Sequence, residues 1–210
     1  MPPFDDAVMP GRYDFLVSTY ATEILKVLSV WSMAADQDLR PRAGDRRGRN
    51  LLEHMVHQCA SENGWFEGMF GIRVTLAVLP PAETRLAFIR HYADCAQQRL
   101  GALRQQDDAW WETEVPFFEA LRPRTWIMTR RIAHTAHHRG QQTMLLRQVG
   151  RALHSTYGPS ADTGGLPKDQ ARVLYAYPDL EALLAQEAGA REKTALPPLP
   201  ARPLTERPDG

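Results

Sequence analysis

Apolar residues recur every three or four positions along four long segments of this chain, and no segment shows the sustained two-residue alternation of a β-strand. The first segment spans residues 13–35, and the third carries a regular apolar stripe from Leu86 to Leu103. Each segment has one apolar face to bury, and four helices of this length can bury these faces against one another. The pattern therefore predicts an all-α protein built on a four-helix bundle.

Local signals indicate where the second and fourth helices begin and end. Asn50 is a favourable N-cap, and Glu53, three residues later, completes a capping box. We expect this helix to end near Gly71. The fourth helix is expected to begin near Thr125 and to end at Gly150, because glycine tolerates the left-handed conformation that often follows a helix.

The composition changes after residue 150, which divides the chain into two parts. We expect residues 1–150 to form the bundle, with a loose arm over residues 1–10. Residues 151–210 are expected to form a loop-rich extension with one short helix within 178–190. Its last fifteen residues, 196–210, are rich in proline and are predicted to lack fixed structure unless they dock on something.

Charge and cysteine content narrow the class of protein. Lysine plus arginine and aspartate plus glutamate both total 25, so a nucleic-acid protein working through a basic surface is disfavoured. The arginine-rich stretch 36–49 is interpreted as a solvated connection between helices. Cys59 and Cys95 are too few for a disulfide scaffold, and no apolar run approaches the ~18 residues of a membrane span. We expect a cytoplasmic protein with no signal peptide and no nucleic-acid or membrane partner.

Three of the seven histidines lie within the stretch HTAHHRGQQ, residues 134–142. At about 100° per residue, His134 and His138 fall inside or at the edge of the face marked by Ile127 and Leu146, whereas His137 falls well away from it. Two imidazoles one turn apart have the spacing by which a helix can hold a metal ion. A hydrogen-bonded pair of core histidines is the alternative. Two buried imidazoles this close make each other's protonation costly. A cation bound between the two neutral rings avoids that cost, which favours a metal site.

A metal site needs a third protein ligand, and the second helix offers His54 and His57. The apolar face of residues 51–70 is centred on Leu51, Met55, Cys59 and Phe66. His54 flanks this face, and His57 lies on its far side. Periodicity alone therefore favours His54 as the inward residue.

Four other polar residues are given structural interpretations. Arg139 and Gln141 are expected to hold helices together, and His91 and His154 are interpreted as ordinary surface histidines. The two cysteines have no spacing that indicates redox or nucleophilic chemistry.

The sequence HxxxHHRGQ from His134, together with NLLEHMVHQCASENGW over residues 50–65, resembles the DinB/YfiT-like family of proposed metalloenzymes. On the second helix the family has a capping residue, an apolar residue, a glutamate, a histidine four positions later and a glutamate five further on. That order is matched by Asn50, Leu51, Glu53, His57 and Glu62.

The resemblance covers about residues 13–150 and implies a three-histidine site with His57, His134 and His138 as metal ligands. One position departs from the family: Gln58 follows the ligand histidine, where an apolar residue is usual. His54 therefore stays open as the alternative third ligand.

Three nitrogen ligands leave a coordination position open, as in catalytic rather than structural sites. The resemblance implies one divalent transition metal ion (Zn, Ni or Fe) and a low-molecular-weight thiol, such as bacillithiol, mycothiol or glutathione, as co-substrate. The favoured interpretation is a metal-dependent enzyme acting on small molecules as a thiol S-transferase. Glu53 and Glu62 are the candidate bases for the alternative, a metal-dependent hydrolase. A non-catalytic metal-binding bundle of the stress response is the third possibility.

The segment AWWETEVPFF, residues 109–118, carries more aromatic residues than a short surface loop needs. Such patches often mark interfaces, and members of the family commonly pair, so a homodimer is expected. The alternative is that Trp110, Trp111, Phe117 and Phe118 cap the bundle core.

Overall fold

The computed structural model describes residues 11–42 and 48–198. The helices are α1 (Asp14–Met33), α2 (Leu51–Trp65), α3 (Arg85–Leu103), α4 (Asp108–Glu112), α5 (Arg124–Gln148) and α6 (Leu180–Glu187). Strand β1 (Glu114–Phe117) pairs antiparallel with β2 (Ala120–Pro123). The predicted arm at 1–10, the middle of the arginine-rich connection and residues 199–210 of the tail lie outside the described residues.

The four long helices α1, α2, α3 and α5 form a four-helix bundle, which confirms the predicted all-α class. Helix α1 packs against both α3 and α5, and α2 packs against α5. Trp31, Leu28 and Phe88 are among the fully buried side chains of the single core. Within the described residues, no helix is long and apolar enough to cross a membrane.

Helix α2 begins and ends as its sequence indicates. The Glu53 backbone N–H donates to Asn50 Oδ1 at 2.9 Å, and the Asn50 N–H donates to Glu53 Oε2 at 2.8 Å. The helix continues into one π-helical turn (Phe66–Phe70) and stops at Gly71, whose φ of 69° is in the left-handed region. Reciprocal capping and a glycine stop thus fix the length of the helix that carries His57.

The connection between α3 and α5 contains a short helix and a hairpin, which the sequence pattern did not predict. Each strand has only four residues, too few for an alternating pattern to stand out, and Pro116 lies within β1. Phe118 in the turn has a φ of 52°, unusual for an aromatic residue. The hairpin packs against α5 and the π-helical turn that ends α2.

The segment after α5 folds back onto the bundle. Helix α6 packs on α1 and α3, and its buried Glu187 carboxylate accepts hydrogen bonds from Arg85 of α3 and from Tyr177. Arg191 also donates to the backbone carbonyl of Ala34 at 2.8 Å. These contacts tie the described part of the extension to the ends of α1 and α3.

His154 is not the surface residue expected from the sequence. Only 7% of it is exposed, and its Nε2 lies 2.7 Å from the carbonyl oxygen of Thr194. The expectation was wrong because the extension, whose path the local sequence does not reveal, covers the ring.

Candidate metal centre

Helices α2 and α5 run antiparallel and bring three histidine rings together at their interface. The ring centroid of His57 lies 4.5 Å from that of His138 and 5.4 Å from that of His134. The His134 and His138 centroids are 4.5 Å apart. One nitrogen from each ring lies within 4.8 Å of the other two, a separation that could hold a metal ion.

His54 and His137 lie next to this group but outside it. The His54 ring is 5.5 Å from that of His138, is 95% buried and has no hydrogen-bond partner for Nδ1 among the described residues. His137 is exposed, as the helical wheel predicted. Periodicity correctly indicated that His54 is buried. The group of three nonetheless includes the half-buried His57, because it lies at the edge of the α2–α5 contact rather than in the core.

A hydrogen bond to Gln141 orients one of the rings. His138 Nδ1 lies 3.0 Å from Gln141 Oε1. Because an amide oxygen can only accept, Nδ1 carries the proton and the lone pair is left on Nε2, the nitrogen that faces His134 Nε2 at 3.1 Å. Gln141, expected to hold helices together, instead contacts His138 on its own helix. Arg139 does join helices, through a buried ion pair with Glu23 of α1.

The environment keeps these rings uncharged at neutral pH. Burial, reinforced by the charge of Arg131, lowers the pKa of His134 to about 4. Burial and the neighbouring His134 lower the pKa of His138 to about 3. Burial and Arg49 also lower the pKa of His57. Neutral imidazole is the form that binds metal, so the three rings have the charge state that a ligand set needs.

The two glutamates of α2 are engaged elsewhere. Glu53 caps its own helix and pairs with Arg42. Glu62 is fully buried, and the hydrogen bonds to its carboxylate come from the hydroxyls of Tyr20 and Tyr92 at 2.6 and 2.7 Å and from the guanidinium groups of Arg131 and Arg99 at 3.2 and 3.4 Å. Burial alone would raise the pKa of Glu62, but the two arginines outweigh it and hold the pKa below its ordinary value.

Arg131 links this buried carboxylate to the histidines. Its Nη2 donates to Glu62, and its Nη1 donates to Ser61 Oγ at 3.1 Å and to His134 Nδ1 at 3.3 Å. Sequence reasoning did not single this residue out. The available signal was its place on the buried face of the fourth helix, where an arginine needs a partner.

Aromatic side chains line one side of the group. Trp65 stacks on His134 with a centroid separation of 5.8 Å and an interplanar angle of 22°. Phe117 of β1 contacts Trp65 at 5.3 Å and Trp126 at 5.0 Å. The hairpin therefore extends an apolar wall outward from the histidines.

Comparison with known proteins shows the family to which the sequence belongs and a solved structure with a similar fold. The sequence model of the DinB family matches residues 34–169, more than half of the chain. The crystal structure of a DinB-like protein from Bacillus cereus ATCC 10987, at 2.01 Å resolution, is similar with a TM-score of 0.62 and 20% sequence identity. The match covers 69% of this chain and 97% of that one, and at this identity it shows a shared fold. No curated protein matches the sequence.

Proposed function

This chain belongs to the DinB family, and on that premise we propose that it is a metal-dependent enzyme of the thiol S-transferase type acting on small molecules. In this proposal His57, His134 and His138 hold one divalent transition metal ion, and a low-molecular-weight thiol is the co-substrate. The observation that carries it is the convergence of three uncharged imidazoles within 4.8 Å, with no acidic residue in the group among the described residues.

The donor set fits such an ion. Three imidazole nitrogens suit Zn, Ni or Fe, and three protein ligands leave at least one position for an exchangeable molecule. When bound, the ion would supply positive charge that stabilises a thiolate or lowers the pKa of water. Gln141 would support the site by keeping the His138 lone pair on Nε2.

The engagement of both α2 glutamates favours a thiol over water as the nucleophile. Hydrolases commonly use a base within hydrogen-bond reach of the attacking water. Glu62 is enclosed by two tyrosines and two arginines, and Glu53 is bound to its helix cap. A thiolate needs no such base once a cation stabilises it.

The thiol has to come from outside the protein. Cys59 and Cys95 are both buried, and burial raises the pKa of each thiol. Neither is therefore suited to form the attacking thiolate. In the proposed reaction the sulfur of a bound small thiol forms a bond to an electrophilic carbon, and the leaving group departs with its electron pair. The wall of Trp65 and Phe117 would contact the apolar part of the electrophile.

The test begins with protein purified without added metal and analysed for its elemental content. The protein is then loaded with Zn, Ni or Fe(II), mixed with bacillithiol, mycothiol or glutathione in turn, and assayed for conjugation to 1-chloro-2,4-dinitrobenzene. We expect metal-dependent conjugation with one of these thiols, lost in His138→Ala and retained in the adjacent control His137→Ala. Metal binding without turnover of any thiol would leave only hydrolysis or a non-catalytic role.

We also propose that the protein is a cytoplasmic homodimer that pairs through the hairpin. Trp111 is buried and Trp110 half-buried, so these two residues cover the bundle core and do not contribute to the proposed interface. Phe118, Leu121 and Trp126 stay exposed by 76, 56 and 42%. An exposed apolar surface of this kind supports pairing with a second copy.

A further inference from the structure

The two candidate ligands on α5 have opposite partners at their outer nitrogens. His138 Nδ1 faces the amide oxygen of Gln141 at 3.0 Å, whereas His134 Nδ1 faces Arg131 Nη1 at 3.3 Å. An amide oxygen only accepts hydrogen bonds. A guanidinium only donates them and keeps its charge at all physiological pH values.

This difference sets where each neutral ring carries its single proton. In His138 the proton is on Nδ1, which leaves the Nε2 lone pair free for a metal. In His134 the lone pair is on Nδ1, facing Arg131, and the proton is on Nε2, from which it donates to His138 Nε2 at 3.1 Å. Metal-binding histidines normally give their second N–H to an acceptor. For His134 to bind a metal through Nε2, its proton would have to be on Nδ1. That N–H would then point at the guanidinium of Arg131, which is positively charged and is itself a donor.

Arg131 is held where it is. Its side chain is 1% exposed, its Nη2 donates to the buried Glu62, and its guanidinium lies 5.7 Å from the centre of the Trp65 ring. Moving it away would leave a buried carboxylate short of one of its two cations, which is costly. The unfavourable contact with the metal-binding form of His134 is therefore built into the bundle.

We propose that Arg131 weakens His134 as a ligand and so makes it the exchangeable member of the three. His134 would release its position when a small molecule enters, while His57 and His138 keep the ion. This inference rests on the proposed metal site. Arg99 is the natural comparison, because it donates to the same carboxylate but its other partner is Asn63, not a histidine.

The first experiment compares Arg131→Gln with Arg99→Gln. Both variants remove one cation from Glu62, but only a glutamine at 131 could accept a hydrogen bond from His134 Nδ1. Affinity for Co(II) is measured by competition with a chromophoric chelator, and the Co(II) absorption spectrum is recorded. We expect Arg131→Gln to bind about tenfold more tightly than Arg99→Gln. Binding weaker than that of Arg99→Gln would overturn the proposal, because Arg131 would then support His134.

The variants His134→Ala and His138→Ala leave the buried ion pairs of Glu62 intact, so they test the proposal even if Arg131→Gln fails to fold. We expect His138→Ala to lose far more Co(II) affinity than His134→Ala. Equal losses in the two variants would overturn this inference and leave the metal site standing. If the wild-type protein binds no Co(II), Zn, Ni or Fe(II), the proposed function itself fails.

Discussion

The imidazole of His57 lies 4.5 Å from that of His138, edge to face, across the interface between α2 and α5. The buried ring of His54, one turn earlier on α2, is 5.5 Å from the same residue, but within the described residues His54 belongs to no group that could hold a metal ion together with His138. The two α2 histidines therefore form a matched pair for testing the site.

His57→Ala should remove most of the bound metal, because it deletes one of three nitrogens within reach of one ion. His54→Ala should leave the metal content unchanged. Elemental analysis of both variants, purified side by side, measures this. If His54→Ala empties the site and His57→Ala does not, the apolar periodicity of α2 was the better guide.

Metal binding should persist to unusually low pH. Histidine in water has a pKa of about 6.5, so an ordinary three-histidine site loses its ligands near that pH. Here the pKa of His134 is about 4, that of His138 about 3 and that of His57 also below its ordinary value, so the rings stay neutral at lower pH than exposed histidines do. Protons should therefore displace the metal only below the pH at which they empty a site of exposed histidines.

Equilibrium dialysis against Co(II) between about pH 4 and 7 measures this dependence, with circular dichroism to confirm that the fold persists. Half-loss of the metal near pH 6.5 would show that the rings titrate as exposed histidines do.

Glu62→Gln should destabilise the bundle strongly. The substitution removes the negative charge that compensates the buried Arg99 and Arg131, and breaking a buried pair of this kind costs about 3 to 5 kcal/mol. Glu53→Gln is the control on the same helix, since its pairing with Arg42 is half-exposed and should contribute far less to stability. Urea unfolding followed by circular dichroism gives both values. Equal losses of unfolding free energy in the two variants would mean that the buried network around Glu62 adds little to stability.

The proposed homodimer should depend on the hairpin surface. Phe118→Ser should shift the protein from dimer to monomer, because it removes the most exposed aromatic side chain of that surface. Phe15→Ser is the control, since Phe15 is 60% exposed on α1. Light scattering at micromolar concentrations gives the mass. A monomeric wild-type protein would contradict the pairing.

The amino-acid sequence was enough to predict the four helices of the bundle and several of their ends. Helical periodicity, the reciprocal cap of Asn50 and Glu53 and the stop at Gly71 are local features, so each can be recognised without knowing the rest of the fold. The proximity of His134 and His138 follows from the same local geometry, because residues four apart lie one above the other on a helix.

Tertiary packing decided which other residues meet that pair. Apolar periodicity reports burial in the core, and it indicated His54; which α2 residue faces α5 at the edge of the core depends on how the two helices are set against each other. The hydrogen bond from Arg131 to Glu62 joins residues 69 positions apart, and the cover over His154 comes from 40 residues downstream. Such contacts depend on how each helix is rotated and on the path of the chain between helices. Local propensity does not specify either of these, because both are fixed only when all the helices pack together.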